Sequence, residues 1–409
     1  MVYKILYISY DGMTDPLGQS QVLPYLIGLS KAGYNLHLLS CEKADAYKQN
    51  AAIINTICAE NNINWHPINY TKKPPLLSTL FDIWQLKREA RKIHLDFKID
   101  IVHCRSYIPA MVGEWLKKKY GIKFIFDMRG FWPDERIDGN IWNLKNPIFN
   151  LVYKYFKNQE KELLQRADHT VCLTNEANKE IHSWKFINNN PIAITVIPCC
   201  VDLDHFNPDK VTHARKSVLK NELGVLENDC ILSYVGSIGT WYLLDEMLNF
   251  FKAFHEKQPN ARFLFITPDD PIKITARAIN YDIDLSKIII TKGSRKDMPA
   301  LISLSDYSIF FIKPAYSKKA SSPTKQGEIM RLGIPIICND KVGDTSFIIN
   351  KYQAGIILTS FNEQAYNDAV SELLDTKFAK QSIIDGAFET YNLQTGIGQY
   401  ERIYKSLLM

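Results

Sequence analysis

The stretch Ser321-Ser322-Pro323-Thr324-Lys325-Gln326-Gly327-Glu328 sets a cation and a carboxylate three residues apart, behind small polar residues. It runs on through Ile329-Met330-Arg331-Leu332-Gly333-Ile334-Pro335 into the apolar Ile336-Ile337-Cys338. That order predicts a short helical segment, a Gly-x-Pro turn and a buried strand. Lys325 and Glu328 then stand at or near a helix N-terminus, beside strand ends. Free N–H groups and partial positive charge make such a terminus a natural seat for phosphate. Lys325 adds a point charge, and the Ser322 and Thr324 hydroxyls lie in the same stretch. Glu328 cannot bind phosphate, but it can accept hydrogen bonds from sugar hydroxyls. Phosphate plus ribose is half of a nucleotide. An ordinary loop and helix cap of an α/β domain is the alternative.

Other polar groups gather where strands end. A strand over 99–103 ends in His103-Cys104-Arg105-Ser106, and one over 124–128 in Arg129-Gly130-Phe131-Trp132-Pro133-Asp134-Glu135. Parallel sheets bind ligands at these ends. His103 could order a sugar hydroxyl or a phosphate, or be a satisfied structural histidine. Arg129 could neutralise phosphate or pair with Asp134 or Glu135. Gly18, in a loop over 11–21, allows close approach of a ligand or a tight turn; the loop is not a GxGxxG fingerprint. Gly236-Ser237-Ile238-Gly239-Thr240 follows a strand over 230–235 and could cradle a phosphate or merely turn the chain. Lys313 closes a strand over 307–312.

The elements that must carry these residues alternate strand and helix along the chain. Strands are predicted at 4–10, 35–40, 63–68, 99–103, 124–128, 168–173 and 193–198. After a crossover at 199–219 the pattern restarts, with strands at 230–235, 261–266, 287–291, 307–312, 335–338 and 354–358. With 409 residues, the chain suits two domains of about 200 residues each. An apolar fraction of 46% is that of a folded protein. A net charge of +5 gives no basis for nucleic acid as a partner. The eight cysteines are scattered, form no CxxC pair and in several cases sit in apolar runs, as buried free thiols of a reducing compartment do. No signal peptide or run of 18 apolar residues is expected, which suggests a cytoplasmic location. Lys72, Lys73, Lys87, Arg88, Arg91 and Lys92 cluster on and before a helix at 76–96. They form a cationic face towards anionic lipid, or a solvated surface.

Several blocks together resemble a glycosyltransferase of family 4 with the GT-B fold. These are Gly18-Gln19, the His103 strand end, Val196-Ile197-Pro198-Cys199-Cys200-Val201-Asp202 with Phe206 and Pro208, Tyr234-Val235-Gly236, and Asp306. The C-terminal block is Ser322-Pro323-Thr324-Lys325-x-x-Glu328 with Gly333-x-Pro335. The resemblance implies two doubly wound Rossmann-like α/β domains facing a cleft. Residues 1–205 would bind the acceptor and 206–385 the nucleotide-sugar, while 386–409 would pack back on the first domain. It implies retention of anomeric configuration, no metal and no cofactor beyond the nucleotide-sugar donor. His103, Lys325 and Arg129 would act on the reacting groups; Gly18, Gly236, Ser237, Lys313, Ser322, Thr324, Lys325 and Glu328 would hold the donor. Asp202-x-Asp204 is more simply a turn cap than a metal site. The acceptor would be a lipid-linked or growing surface saccharide of a bacterium, met at the inner face of the cell membrane. Two family features are absent. Ala320 stands where the first glutamate of the E-x7-E motif falls, and Ser237 to Tyr242 replace the arginine and lysine that hold the diphosphate. A sugar-nucleotide epimerase of the same fold and a catalytically silent carbohydrate-binding relative are the rival expectations.

Overall fold

Runs of Ile, Leu, Val and Phe, apolar on both faces, form strands only where helices cover both sides of a parallel sheet. In a computed structural model of the chain, which describes residues 2–74 and 76–409, they do so twice. The first unit comprises Met1–Pro198 with Leu393–Met409, and the second Cys199–Asn392.

In the first unit the strands are β1 (Lys4–Ser9), β2 (Asn35–Glu42), β3 (Ile63–Asn69), β4 (Ile101–Arg105), β5 (Lys123–Asp127), β6 (His169–Cys172) and β7 (Ile194–Val196). They pair in parallel in the order β3-β2-β1-β4-β5-β6-β7. The order reverses between β1 and β4, and ligands lodge at the carboxyl ends of such a pair. Ile5, Leu6, Ile8, Val102, Phe124 and Phe126 are wholly buried in its core. The helix Leu393–Leu408 closes on this sheet. Tyr400 Oη donates to Asp127 at 3.0 Å, and Tyr404 Oη lies 2.7 Å from His103 Nδ1.

The second unit holds β8 (Cys230–Val235), β9 (Ala261–Ile266), β10 (Ile288–Thr291), β11 (Tyr307–Phe310), β12 (Ile336–Asn339) and β13 (Gly355–Leu358), ordered β10-β9-β8-β11-β12-β13. Asp306 accepts from Ile231 N–H at 2.7 Å and fixes the start of β11 to β8. The breaks between units lie after Pro198 and after Asn392, where the sequence suggested 205 and 385. The helix Lys380–Tyr391 stays with the second unit because it packs on the helix Thr324–Arg331.

Several helices were not predicted, among them Pro16–Gln21 within the expected loop 11–21. Tyr107–Tyr120 is a helix although it contains Pro109 and Gly113. Pro109 is in the first turn, where its missing N–H costs nothing. Gly113 is where the helix touches the sheet: a Cβ there would stand 2.5 Å from Cys104 Sγ. Trp132–Asp138 is a helix rather than an irregular strand-end cluster. His213–Glu222, within the expected crossover, is capped by Thr212 accepting from Arg215 N–H. All eight cysteines are free thiols, seven of them buried.

Candidate active site

In the second unit the helix Thr324–Arg331 starts after Pro323 with no side chain capping its first turn. Within that turn Gln326 N–H donates to Pro323 O at 3.0 Å, while the N–H groups ahead of it have no intrahelical acceptor to meet. Lys325 and Glu328 are three residues apart and share a face. Lys325 is 8% exposed, and its Nζ has no hydrogen-bond partner among the described residues. The ammonium instead stands over two tyrosine rings, 4.3 Å from the Tyr234 centroid and 3.7 Å from that of Tyr242. Such faces attract a cation but supply no counter-charge. Burial brings the Lys325 pKa down to about 7, against the opposing pull of Glu328. Burial likewise pushes the half-buried Glu328 up to about 7, opposed by Arg295 and Lys325. A buried amine with no anion hydrogen-bonded to it is costly, and its persistence here points to a ligand that supplies one.

The rings are set by the sheet. Tyr234 is the penultimate residue of β8, and Tyr242 is bridged to Ile312 beyond β11. Between them Gly236 takes φ +108, and a Cβ there would come within 3.2 Å of Lys325 Nζ. Only glycine serves both the backbone angle and the ammonium.

Ser237 needs correction as an open phosphate ligand. Its hydroxyl donates to both Asp269 oxygens at 3.0 Å, and Ile238 N–H donates to the same carboxylate. Thr267 Oγ1 donates to it as well, at 3.3 Å. The loop after β8 is therefore closed on the protein's own anion. The cation of this corner arrives from the helix Thr324–Arg331 instead. Ser322 Oγ accepts from Cys199 N–H at 3.1 Å, which leaves its own proton to give. Thr324 opens the helix. Lys313 is half-buried, its backbone N–H donating to Trp241 at 2.8 Å. Ala320, which stands in the place of the missing glutamate, is 2% exposed. Asp202 caps the backbone of Asp204 and His205, and Asp204 pairs with Lys210.

The first unit gathers its charges at the carboxyl ends of β1, β4 and β5. His103 is not at the surface of that site. It is 1% exposed, with Tyr7 edge-on at 4.6 Å, Tyr404 on Nδ1 and Asp127 3.6 Å from Nε2. Burial holds its imidazole below the ordinary value despite Asp127. The ring therefore supports Asp127 from within; direct contact with a substrate, expected from the sequence, is corrected. Two residues on, the alternation of a strand returns to the same face, and Arg105 stands at the end of β4. It is 5% exposed. Its Nε donates to Asp11 at 3.3 Å, and its Nη1 is buried without a hydrogen-bond partner among the described residues. Arg129 holds φ +62 and Ser106 φ +69, strained backbone of the kind that collects at functional sites. Arg129 Nη1 is 3.7 Å from Asp127. Burial would raise the Asp127 pKa, but Arg129, His103 and Arg105 outweigh it and keep the carboxyl at about 2. Gly18 also departs from expectation. It lies buried in the helix Pro16–Gln21, where a Cβ would meet Gly12 O at 2.2 Å. The close approach it permits is to its own chain. The preceding loop is fixed by Glu42, which accepts from Met13 and Thr14 N–H at 2.8 and 3.1 Å.

Sequence inspection grouped Arg105 with its neighbours and missed Asp269, Glu42 and the tyrosine seat. A buried acid closing an apolar strand was the one signal available, and it marks Glu42 alone. The seat joins residues of two strand ends and a helix, and no local pattern encodes it.

Comparison with known proteins extends these observations. Residues 22–205 match the family model Glycosyltransferase Family 4, and residues 216–389 match Glycosyl transferases group 1. The chain belongs to the glycosyltransferases. This glycosyltransferase is 21% identical over 265 residues to the alpha-monoglucosyldiacylglycerol synthase of Acholeplasma laidlawii. That match spans 62% of this chain and 61% of the synthase. A crystallised glycosyltransferase of Rickettsia africae superposes with a TM-score of 0.73 at 17% identity, covering 100% of this chain and 99% of that one. Anabaena HepE, crystallised with UDP and glucose, gives 0.70 at 12% identity, covering 99% and 100%. These likenesses show the shared GT-B architecture of two Rossmann-like α/β domains with parallel sheets. Among the described residues, no helix is long and apolar enough to cross a membrane.

Proposed function

We propose that this glycosyltransferase moves a sugar from a nucleotide-sugar donor to a saccharide or lipid-linked acceptor, with retention of anomeric configuration. The observation that carries the proposal is the buried, unpartnered Lys325 ammonium beside Gly236, on the same helix as Glu328. Lys325 and the first N–H groups of its helix would hold the diphosphate, with Ser322, Thr324 and Lys313 around it. Glu328 would accept from the ribose hydroxyls. The HepE complex with UDP and glucose supports a nucleotide donor by analogy of fold. The name of the synthase relative supports a lipid acceptor.

The acceptor hydroxyl oxygen attacks the anomeric carbon on the face from which the diphosphate departs. The bond from that carbon to the β-phosphate oxygen breaks, and the acceptor proton passes to the phosphate. Charge builds on the leaving oxygen, and a cation already in place stabilises it without reorganisation. Lys325 is such a cation. In the first unit Arg105 and Arg129 would face the acceptor, with His103 and Asp127 fixing Arg129 from behind. We place the reaction in assembly of a bacterial surface saccharide at the inner face of the membrane.

Incubation with UDP-, GDP- and dTDP-sugars, with and without a saccharide acceptor, tests the proposal. Transfer with the donor's anomeric configuration preserved, read by NMR of the product, is expected. Interconversion of the donor sugar without any acceptor would make the protein an epimerase. Binding with no turnover of any kind would make it a silent relative.

A further inference from the structure

The helix Leu77–Phe97 is apolar on two sides. Ile83, Leu86, Ala90 and Ile93 are buried against the first unit. On the other side Leu77, Leu80, Phe81 and Trp84 are 65, 61, 49 and 54% exposed. Their spacing of three and four residues puts them on one stripe. The same stripe continues into Arg88 and Arg91, both exposed, with Lys92 alongside and exposed Lys72 and Lys73 just before the helix. Its acids are mostly engaged: Asp82 is buried and bonded to Tyr10, and Glu89 pairs with Arg88. A second helix repeats the pattern. Pro147–Arg166 exposes Ile148, Leu151 and Tyr155 at 59, 71 and 46%. Both helices pack on the helix Tyr107–Tyr120. Each also leads into the start of a parallel strand, β4 or β6. Their apolar first halves therefore lie towards the carboxyl edge of the sheet, where Arg105 and Arg129 stand.

We propose that this edge of the first unit docks on an anionic lipid bilayer, with Leu80, Phe81 and Trp84 entering the headgroup boundary and Arg88, Arg91, Lys72 and Lys73 meeting anionic headgroups. Single exposed apolar residues need no partner, but a contiguous stripe does. A cationic surround suits a lipid surface, since interfacial helices combine an apolar face with Lys and Arg. Docking there would bring a lipid-linked acceptor to the strand ends that hold the arginines. That consequence rests on the proposed lipid acceptor; the docking itself does not.

Flotation of the full chain with vesicles, in the absence of donor and acceptor, keeps the two apart. The chain is expected to float with phosphatidylcholine–phosphatidylglycerol vesicles and to stay behind with phosphatidylcholine alone. The triple variant Leu80→Ser, Phe81→Ser, Trp84→Ser should bind at least about tenfold more weakly, and Arg88→Glu with Arg91→Glu should lose the salt-sensitive part. Tm should hold in both, because these side chains are exposed. Wild type that ignores anionic vesicles would overturn the proposal, and so would variants that float equally well. A concentration-dependent dimer abolished by the triple variant, with no vesicle binding, would also overturn it and assign the stripe to a second copy of the chain.

Discussion

Replacing Lys325 by methionine should lower kcat/KM for the donor by about 100-fold or more while leaving Tm at or above that of the wild type. The two effects have one cause. The ammonium is buried over the Tyr234 and Tyr242 rings with no hydrogen-bond acceptor among the described residues. It weighs on the unliganded fold and is compensated only when an anion arrives. Methionine fills a similar space without charge, so the fold loses a burden and the diphosphate loses its cation. Steady-state kinetics with a thermal melt of the same preparation checks both. A variant that loses activity and also melts well below wild type would make Lys325 a structural residue.

Glu328→Ala should cost most of the affinity for the nucleotide-sugar. A carboxylate accepting from two ribose hydroxyls contributes about 1.5–3 kcal/mol per bond, so a weakening of about 10²- to 10⁴-fold is expected in a binding titration. The discriminating comparison is 2′-deoxy-UDP. Wild type should prefer UDP over the deoxy nucleotide, and the variant should bind the two alike. Unchanged affinity in the variant would remove Glu328 from the ribose.

The alternation of apolar runs and turns revealed both sheets, because buried parallel strands are apolar on both faces and bounded by Gly, Pro and polar residues. The Lys325-x-x-Glu328 pair was legible for a similar reason: helix start, cation and carboxylate follow one another in sequence. What escaped was set by tertiary contact. His103 could not be distinguished from Arg105, since both lie on one face of β4 and only the helix Leu393–Leu408, nearly 300 residues away in the chain, decides which is covered. Ser237 is available by sequence alone, but Asp269, in the loop beyond β9, occupies its hydroxyl. Gly18 looked like a ligand-facing loop residue because the backbone it approaches, Gly12 and Met13, belongs to the preceding turn.

On the proposed function, Lys325 has no hydrogen-bonded anion until the donor brings one. In the unliganded chain Lys325 titrates near 7, and unfolded lysine near ~10.4. The unfolded state thus holds more protons between those values. The burial penalty is complete below about pH 7 and lifts as pH rises towards the unfolded value. A bound diphosphate restores the charged form, so binding above pH 7 must take up a proton. Calorimetry of UDP binding at pH 8, repeated in buffers of different ionisation enthalpy, measures that proton directly. We expect uptake of nearly one proton per UDP bound; tight binding with no proton uptake would contradict the assignment of Lys325 as the cation that receives the diphosphate.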